Sequence, residues 1–80
     1  MWRYLSKARG HLGEVQYYHR FAGDLGYKQA KYHYDELCSL IGRSMQSKND
    51  KHDAPVIAAL RESAAVLMDE MRKRTEAESD

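Results

Sequence analysis

Histidine and cysteine offer the widest range of chemistry in this sequence, which has four histidines and one cysteine among 80 residues. If two helices form a hairpin that turns at Gly26, His19 and His33 come to similar heights on neighbouring helices, each at the edge of an apolar arc. A metal ion would need two further ligands, and no Glu-x-x-His pair of the di-iron bundle type accompanies them. We therefore expect no metal site. The two histidines are expected either to form a pH-sensitive contact or, as the simpler alternative, to be half-buried histidines with satisfied hydrogen bonds.

Other groups with catalytic potential are not arranged for catalysis. Cys38 falls on an apolar helical stripe, with no helix N-terminus or cation beside it to activate the thiol, so we expect an inert packed side chain. No serine lies in a nucleophile elbow, and no glycine-rich phosphate loop occurs. The carboxylates of Asp35–Glu36 and Asp69–Glu70 fall on solvated helix faces. The sequence therefore predicts no enzyme, no catalytic residue and no cofactor.

Apolar residues recur at helical spacing in three segments of the chain. Residues 2–25 carry one stripe, and Gly26 offers the left-handed conformation in which helices commonly end. Residues 27–47 repeat the pattern, and after a polar loop Asp53 suits the N-cap of a third helix over residues 54–74. The stripes consist of Leu5, Ala8, Leu12, Val15, His19 and Ala22; of Tyr27, Ala30, Tyr34, Leu37, Cys38, Ile41 and Met45; and of Ile57, Leu60, Ala64, Leu67 and Met71.

The fold class predicted from these segments is all-α. A short connection forces the first two helices to lie antiparallel, so we expect a three-helix antiparallel bundle built on a long helical hairpin. Residues 1–74 form a single helical domain in this prediction, and residues 75–80 form a disordered tail. A chain this short leaves much of its surface unburied and has no disulfide, so we expect a homodimeric helical bundle, with the third helix packed in cis or exchanged between chains.

Cysteine usage and hydropathy bear on location. A lone cysteine fits a reducing compartment, where thiols stay free. The longest apolar runs, residues 54–60 and 64–68, are far too short to span a bilayer. We therefore expect a cytoplasmic protein that does not bind membranes.

The first helix is apolar over an unusually wide arc toward its C-terminal end. Tyr17, Tyr18, Phe21 and Leu25 extend the stripe to nearly two-thirds of the circumference, so this helix must contact more than one neighbour or lie in an ordinary core with tyrosine hydroxyls reaching water. Trp2 falls on the opposite side and is either a docked terminus or a binding anchor. The arc therefore favours a partner-binding or self-association surface on the first helix.

Charge is unevenly distributed along the chain. Residues 1–48 contain eight Lys and Arg against four Asp and Glu, whereas residues 49–80 contain five against eight. Basic and aromatic residues interleave in residues 17–20 and 27–34, a composition that single-strand nucleic-acid binders use. Helical geometry weakens that interpretation, because only Tyr32 clearly shares the solvent face with Lys28.

The function predicted from these features is binding to a larger protein, as a regulator, adaptor or inhibitor. A mobile-element or phage accessory protein would be one such regulator. The alternative is nucleic-acid or nucleotide binding through the basic, tyrosine-rich hairpin. The residues expected to contact a partner are Trp2, Arg9, Tyr17, Arg20, Phe21, Lys28 and Tyr32.

Overall fold

Three helices make up the chain in the computed structural model, which describes residues 3–21 and 23–79. Two long helices form an antiparallel pair, and the third runs parallel to the first and packs on both. This part of the chain contains no strand. The all-α, three-helix prediction is confirmed. The elements are α1 (Arg3–His19), α2 (Asp24–Gln46), a 3-10 turn (Lys51–Asp53) and α3 (Ala54–Ser79).

The core follows the apolar stripes that helical spacing predicts. Leu37, Ile57 and Val15 are fully buried, one from each helix, and alanines at positions 8, 30 and 64 let the helices approach closely. Burial of each large aliphatic side chain contributes about 1.5–3 kcal/mol. The bundle is long and narrow, with Cα extents of 48 × 14 × 14 Å. Such a rod has a thin core and a large surface.

The hairpin turns between the end of α1 at His19 and the start of α2 at Asp24, not at Gly26 as predicted. α1 ends at His19, the Phe21 amide donates to the Tyr18 carbonyl oxygen at 3.0 Å, and Gly23 has a φ of 100°, the left-handed region that favours glycine. Asp24 then opens α2, where an acidic side chain is favourable against the helix dipole. The predicted helices over residues 2–25 and 27–47 are therefore wrong at the turn.

Gly26 has a different role from the one predicted. It lies buried in the first turn of α2, where an added Cβ would lie 3.3 Å from Phe21 Cβ and 3.5 Å from the Tyr18 carbonyl oxygen. The missing side chain lets the turn fold back tightly against α2. The sequence holds two glycines near the turn, and spacing alone does not show which supplies backbone freedom and which supplies room.

Hydrogen bonds order the connection between α2 and α3. The buried Ser44 hydroxyl donates to the Asp50 carbonyl oxygen at 2.6 Å, and the Asp50 amide donates to Ser47 Oγ at 3.3 Å. Asp53 immediately precedes α3, as expected of an N-cap, and its buried Oδ2 has no hydrogen-bond partner.

α3 continues to Ser79, which corrects the prediction of a disordered tail from residue 75. Arg72 donates to Asp69 at 2.6 Å and to Glu76 at 3.0 Å, and the second of these ion pairs crosses the predicted boundary at helical spacing. The hydrogen bonds from Arg72 and Lys73 lower the pKa of Asp69. In the part of the chain that the structure describes, no helix is long and apolar enough to cross a membrane.

Alanine substitutions test the different roles of the glycines within α1 and the glycine in the turn. Gly10 and Gly13 have open space where a Cβ would lie, so Gly10→Ala and Gly13→Ala should each raise the free energy of unfolding by up to about 1 kcal/mol. Gly23→Ala should lower it by about 1 kcal/mol or more, because alanine is strained at a φ of 100°. Urea denaturation measures all three, and a loss of stability in Gly10→Ala would contradict the open surface described here.

Candidate functional site

Seven aromatic, histidine and leucine side chains gather on one side of the α1–α2 hairpin. The opposite flank of α2 faces α3, where Arg61 and Glu62 of α3 act electrostatically on Tyr34. Leu25 and Tyr32 are seven residues apart and thus share one face of α2, on the flank that meets α1. We call this surface the α1–α2 face. Its members are His11, Tyr17, Tyr18, Phe21, Leu25, Tyr32 and His33.

Aromatic rings form a continuous set of contacts across this face. Tyr17 packs edge-on against Tyr18 and Phe21, with ring centroids 5.2 and 5.1 Å apart. Tyr18 stacks on His33 with an interplanar angle of 17°, and Tyr32 meets the same imidazole edge-on at 5.0 Å. Edge-to-face and offset pairs are the favourable geometries for aromatic rings. The rings therefore support one another as a single surface that spans both helices.

The large apolar side chains of this face are open to solvent. Relative exposure is 52% for Tyr17, 46% for Phe21, 74% for Leu25 and 57% for Tyr32. Tyr18 and the two histidines are only partly exposed and form the floor beneath them. Large apolar groups clustered on a surface mark interaction sites more reliably than single exposed ones.

His11 and His33 meet at the floor of the face. Their Nδ1 atoms lie 2.8 Å apart and their ring centroids 5.1 Å apart, which is hydrogen-bonding distance between two imidazoles. Burial lowers the pKa of His11 from its ordinary value, and the neighbouring His33 lowers it further. Glu14 and Glu36 oppose that shift, and Lys7 adds to it. The structure thus contains a coupled histidine pair, but not the predicted one.

The predicted pairing of His19 with His33 is wrong because the turn lies earlier than Gly26. His33 consequently faces His11, eight positions before the predicted partner. His19 instead faces α3, where its Nε2 donates to Glu70 Oε1 at 2.7 Å. Arg74 donates to the His19 carbonyl oxygen at 2.6 Å and so satisfies the C-terminal end of α1. These contacts tie the end of α1 to α3.

The structure brings together only some of the predicted partner residues. Tyr17, Phe21 and Tyr32 share the α1–α2 face, and Lys28 is exposed on α2 between the turns that carry Leu25 and Tyr32. The other predicted residues are dispersed. Arg9 is exposed about 80° around α1 from Tyr17, Arg20 is exposed in the turn, and Trp2 lies outside the described residues.

Sequence reasoning missed His11 as a member of the site. His11 lies seven residues before Tyr18, so both fall on one helix face, and this spacing could have indicated that His11 belongs to the site. The residue of α2 that lies opposite His11 depends on the register of the hairpin. A prediction that places the turn three residues too late alters this register and so gives the wrong partner. Across residues 3–21 and 23–79, no three His, Cys, Asp or Glu side chains converge as metal ligands would.

Comparison with known proteins identifies no relative. No family model matches the chain, and neither a curated protein nor a solved structure is detectably similar to it. Function must therefore be inferred from the chemistry of the surface, and the α1–α2 face is its most distinctive part.

Alanine substitutions at two neighbouring tyrosines should show that the floor of the face contributes more to the free energy of unfolding than its exposed rim does. Tyr18→Ala should lower the free energy of unfolding by about 2–3 kcal/mol, because Tyr18 packs between Tyr17, Phe21 and His33. Tyr17→Ala should cost less than about 1 kcal/mol, since its ring is half exposed. Chemical denaturation gives both values. Equal losses in the two variants would contradict this division.

Proposed function

We propose that this protein is a non-enzymatic protein-binding module that docks a helix of a larger protein on the α1–α2 face, as a regulator, adaptor or inhibitor. The observation that carries the proposal is the set of four large exposed side chains, Tyr17, Phe21, Leu25 and Tyr32, on one surface of the hairpin. Tyrosine is enriched among residues that dominate binding energy, and clustered aromatic side chains supply apolar contact at low entropic cost.

The shape of the face favours a helical partner. Two antiparallel helices leave a groove between them, and α3 already packs on the other side of the α1–α2 pair. A helix with apolar residues three, four and seven apart would complete a four-helix arrangement around α1 and α2. Gly10 and Gly13 are exposed on the outward side of α1 and carry no side chain to obstruct a close approach.

The charge of the hairpin favours an acidic border on that partner helix. Residues 3–46 contain seven Lys and Arg against four Asp and Glu. Lys7, Arg20 and Lys28 take part in none of the ion pairs formed among the described residues, whereas Asp69, Arg72 and other charged groups of α3 pair with one another. Cations without partners at a rim increase the association rate of a surface of opposite charge.

Nucleic-acid binding is the competing function, supported by the proximity of Tyr32 and Lys28 on α2. Glu14 and Glu36 act electrostatically on His11 at the floor of the face, however, and their carboxylates would repel phosphates there. The low density of cations also provides few phosphate contacts. We propose further that the protein acts in the cytoplasm, in keeping with the free thiol of Cys38.

Paired charge substitutions test the proposed docking face. Leu25→Glu and Tyr32→Glu each place a carboxylate within the face and should weaken capture of a partner from a lysate of the source cells at least tenfold. Val66→Glu is the matched control, because Val66 is an exposed apolar residue on α3, with 59% relative exposure against 57% for Tyr32. Capture on the immobilised chain, followed by crosslinking and mass spectrometry, identifies the partner and its contact site.

Three outcomes distinguish the candidate functions. Equal capture by wild type and Tyr32→Glu would overturn the docking face. Recovery of nucleic acid, with affinity falling by orders of magnitude between about 50 and 200 mM salt, would overturn protein binding in favour of the competing function. A second copy as the occupant would appear in analytical ultracentrifugation as a dimer that Tyr32→Glu dissociates and Val66→Glu does not.

A further inference from the structure

The histidine pair joins α1 to α2 near the middle of α1. The Nδ1 atoms of His11 and His33 are 2.8 Å apart, a distance that requires one proton between them, because two lone pairs or two N–H groups would repel. Tyr18 stacks on the His33 ring and Tyr32 packs against its edge, so the imidazole has little freedom to turn away. The two rings are therefore held in contact by the packing of both helices.

The groups around the pair determine which ring nitrogen of each histidine carries the proton when both are neutral. His33 Nε2 lies 3.9 Å from Glu14 Oε2, and a carboxylate favours a proton on the nitrogen that faces it. Neutral His33 then carries its proton on Nε2 and accepts at Nδ1. It follows that neutral His11 carries its proton on Nδ1 and donates to His33.

One added proton can be held without breaking this contact. The proton binds to His33 Nδ1, and the resulting imidazolium directs one N–H toward Glu14 and the other toward His11. His11 moves its own proton from Nδ1 to Nε2 and becomes the acceptor. A second proton has no such arrangement, because it must bind His11 Nδ1, leaving two cations with their N–H groups facing each other.

We propose that His11 and His33 form a proton-sensitive clasp, which holds α1 to α2 while it carries no added proton or one and opens when the second proton binds. The clasp lies on the floor of the α1–α2 face, so its opening disturbs the positions of Tyr18, which lies beside it on the floor, and of Tyr32, which lies above it. The clasp does not depend on the proposed function and operates whether or not a partner docks there.

The charged groups around the clasp determine the direction of its pH response. Glu14 on α1 and Glu36 on α2 favour protonation of His11, and Lys7 on α1 opposes it. Burial and His33 outweigh the carboxylates, so the pKa of His11 lies below its ordinary value of 6.5 in the folded chain. The unfolded chain therefore binds this proton more readily. Stability is fully present above about pH 6.5 and is lost as the pH falls through the folded-state pKa of His11.

Nitrogen-detected NMR of the full chain in a metal chelator tests the clasp directly. At pH 7.5 we expect His11 protonated at Nδ1 and His33 at Nε2. On acidification the pair should take up one proton while the two rings stay in contact and the His11 proton moves to Nε2. A later step should protonate His11 and increase amide exchange around residues 8–15 and 30–37. Two independent titrations, or His11 protonated only at Nε2 at pH 7.5, would overturn the proposal.

Stability measurements provide a second test that needs no tautomer assignment. Between pH 7.5 and pH 5 the thermal midpoint of the wild type should fall by about 5 °C or more. In His11→Gln the fall should be less than half as large, because the second proton has no site, whereas the control His52→Gln should match the wild type. An equal fall in His11→Gln would overturn the clasp. If His11→Gln does not fold, the NMR titration of the wild type still decides.

Discussion

The position of the turn between α1 and α2 is the constraint on which the rest of this structure depends. Gly23 can adopt a φ of 100° at low cost, and Gly26 allows the turn to pack against α2 without a side chain in the way. Together they set the register of the two long helices. A shift of the turn by three residues changes which residues lie opposite one another along the whole pair, because the helices are antiparallel.

The histidine chemistry of this protein is a consequence of that register. His33 has the same side chain whether the turn lies at residue 23 or residue 26, yet it meets His11 in the first case and approaches His19 in the second. His19 consequently turns to α3 and binds Glu70, while Arg74 satisfies its carbonyl oxygen. One histidine becomes half of a coupled pair, and another becomes a structural link between the first and third helices.

The exposed apolar surface follows from the shape of the bundle. Three helices in a narrow rod bury one stripe each, and in α1 the apolar arc is wider than a single stripe. α3 covers one side of the α1–α2 pair, and the aromatic residues at the turn end remain on the other side. Small domains bury a limited fraction of their surface, so an extra apolar arc has no place inside. That physical mismatch is the basis for the proposed docking face.

Helical periodicity determined the fold class by itself, because stripes three and four residues apart can be buried only if the segments are helices packed side by side. Leu37, Ile57 and Val15 therefore lie in the core where their spacing predicts. The wide arc of the first helix predicted a surface that includes Tyr17 and Phe21, and the solvent face of the second predicted the exposure of Tyr32, but only the structure places the three on one surface. The ends of the helices were harder to predict from the sequence. Residues 75–79 continue α3, and the ion pair between Arg72 and Glu76 supports that continuation, a contribution that apolar spacing does not register. Only the tertiary structure decided which of two nearby glycines makes the turn, and with it the pairing of His11 with His33, because that choice depends on steric room between Phe21 and α2 and not on any periodic pattern.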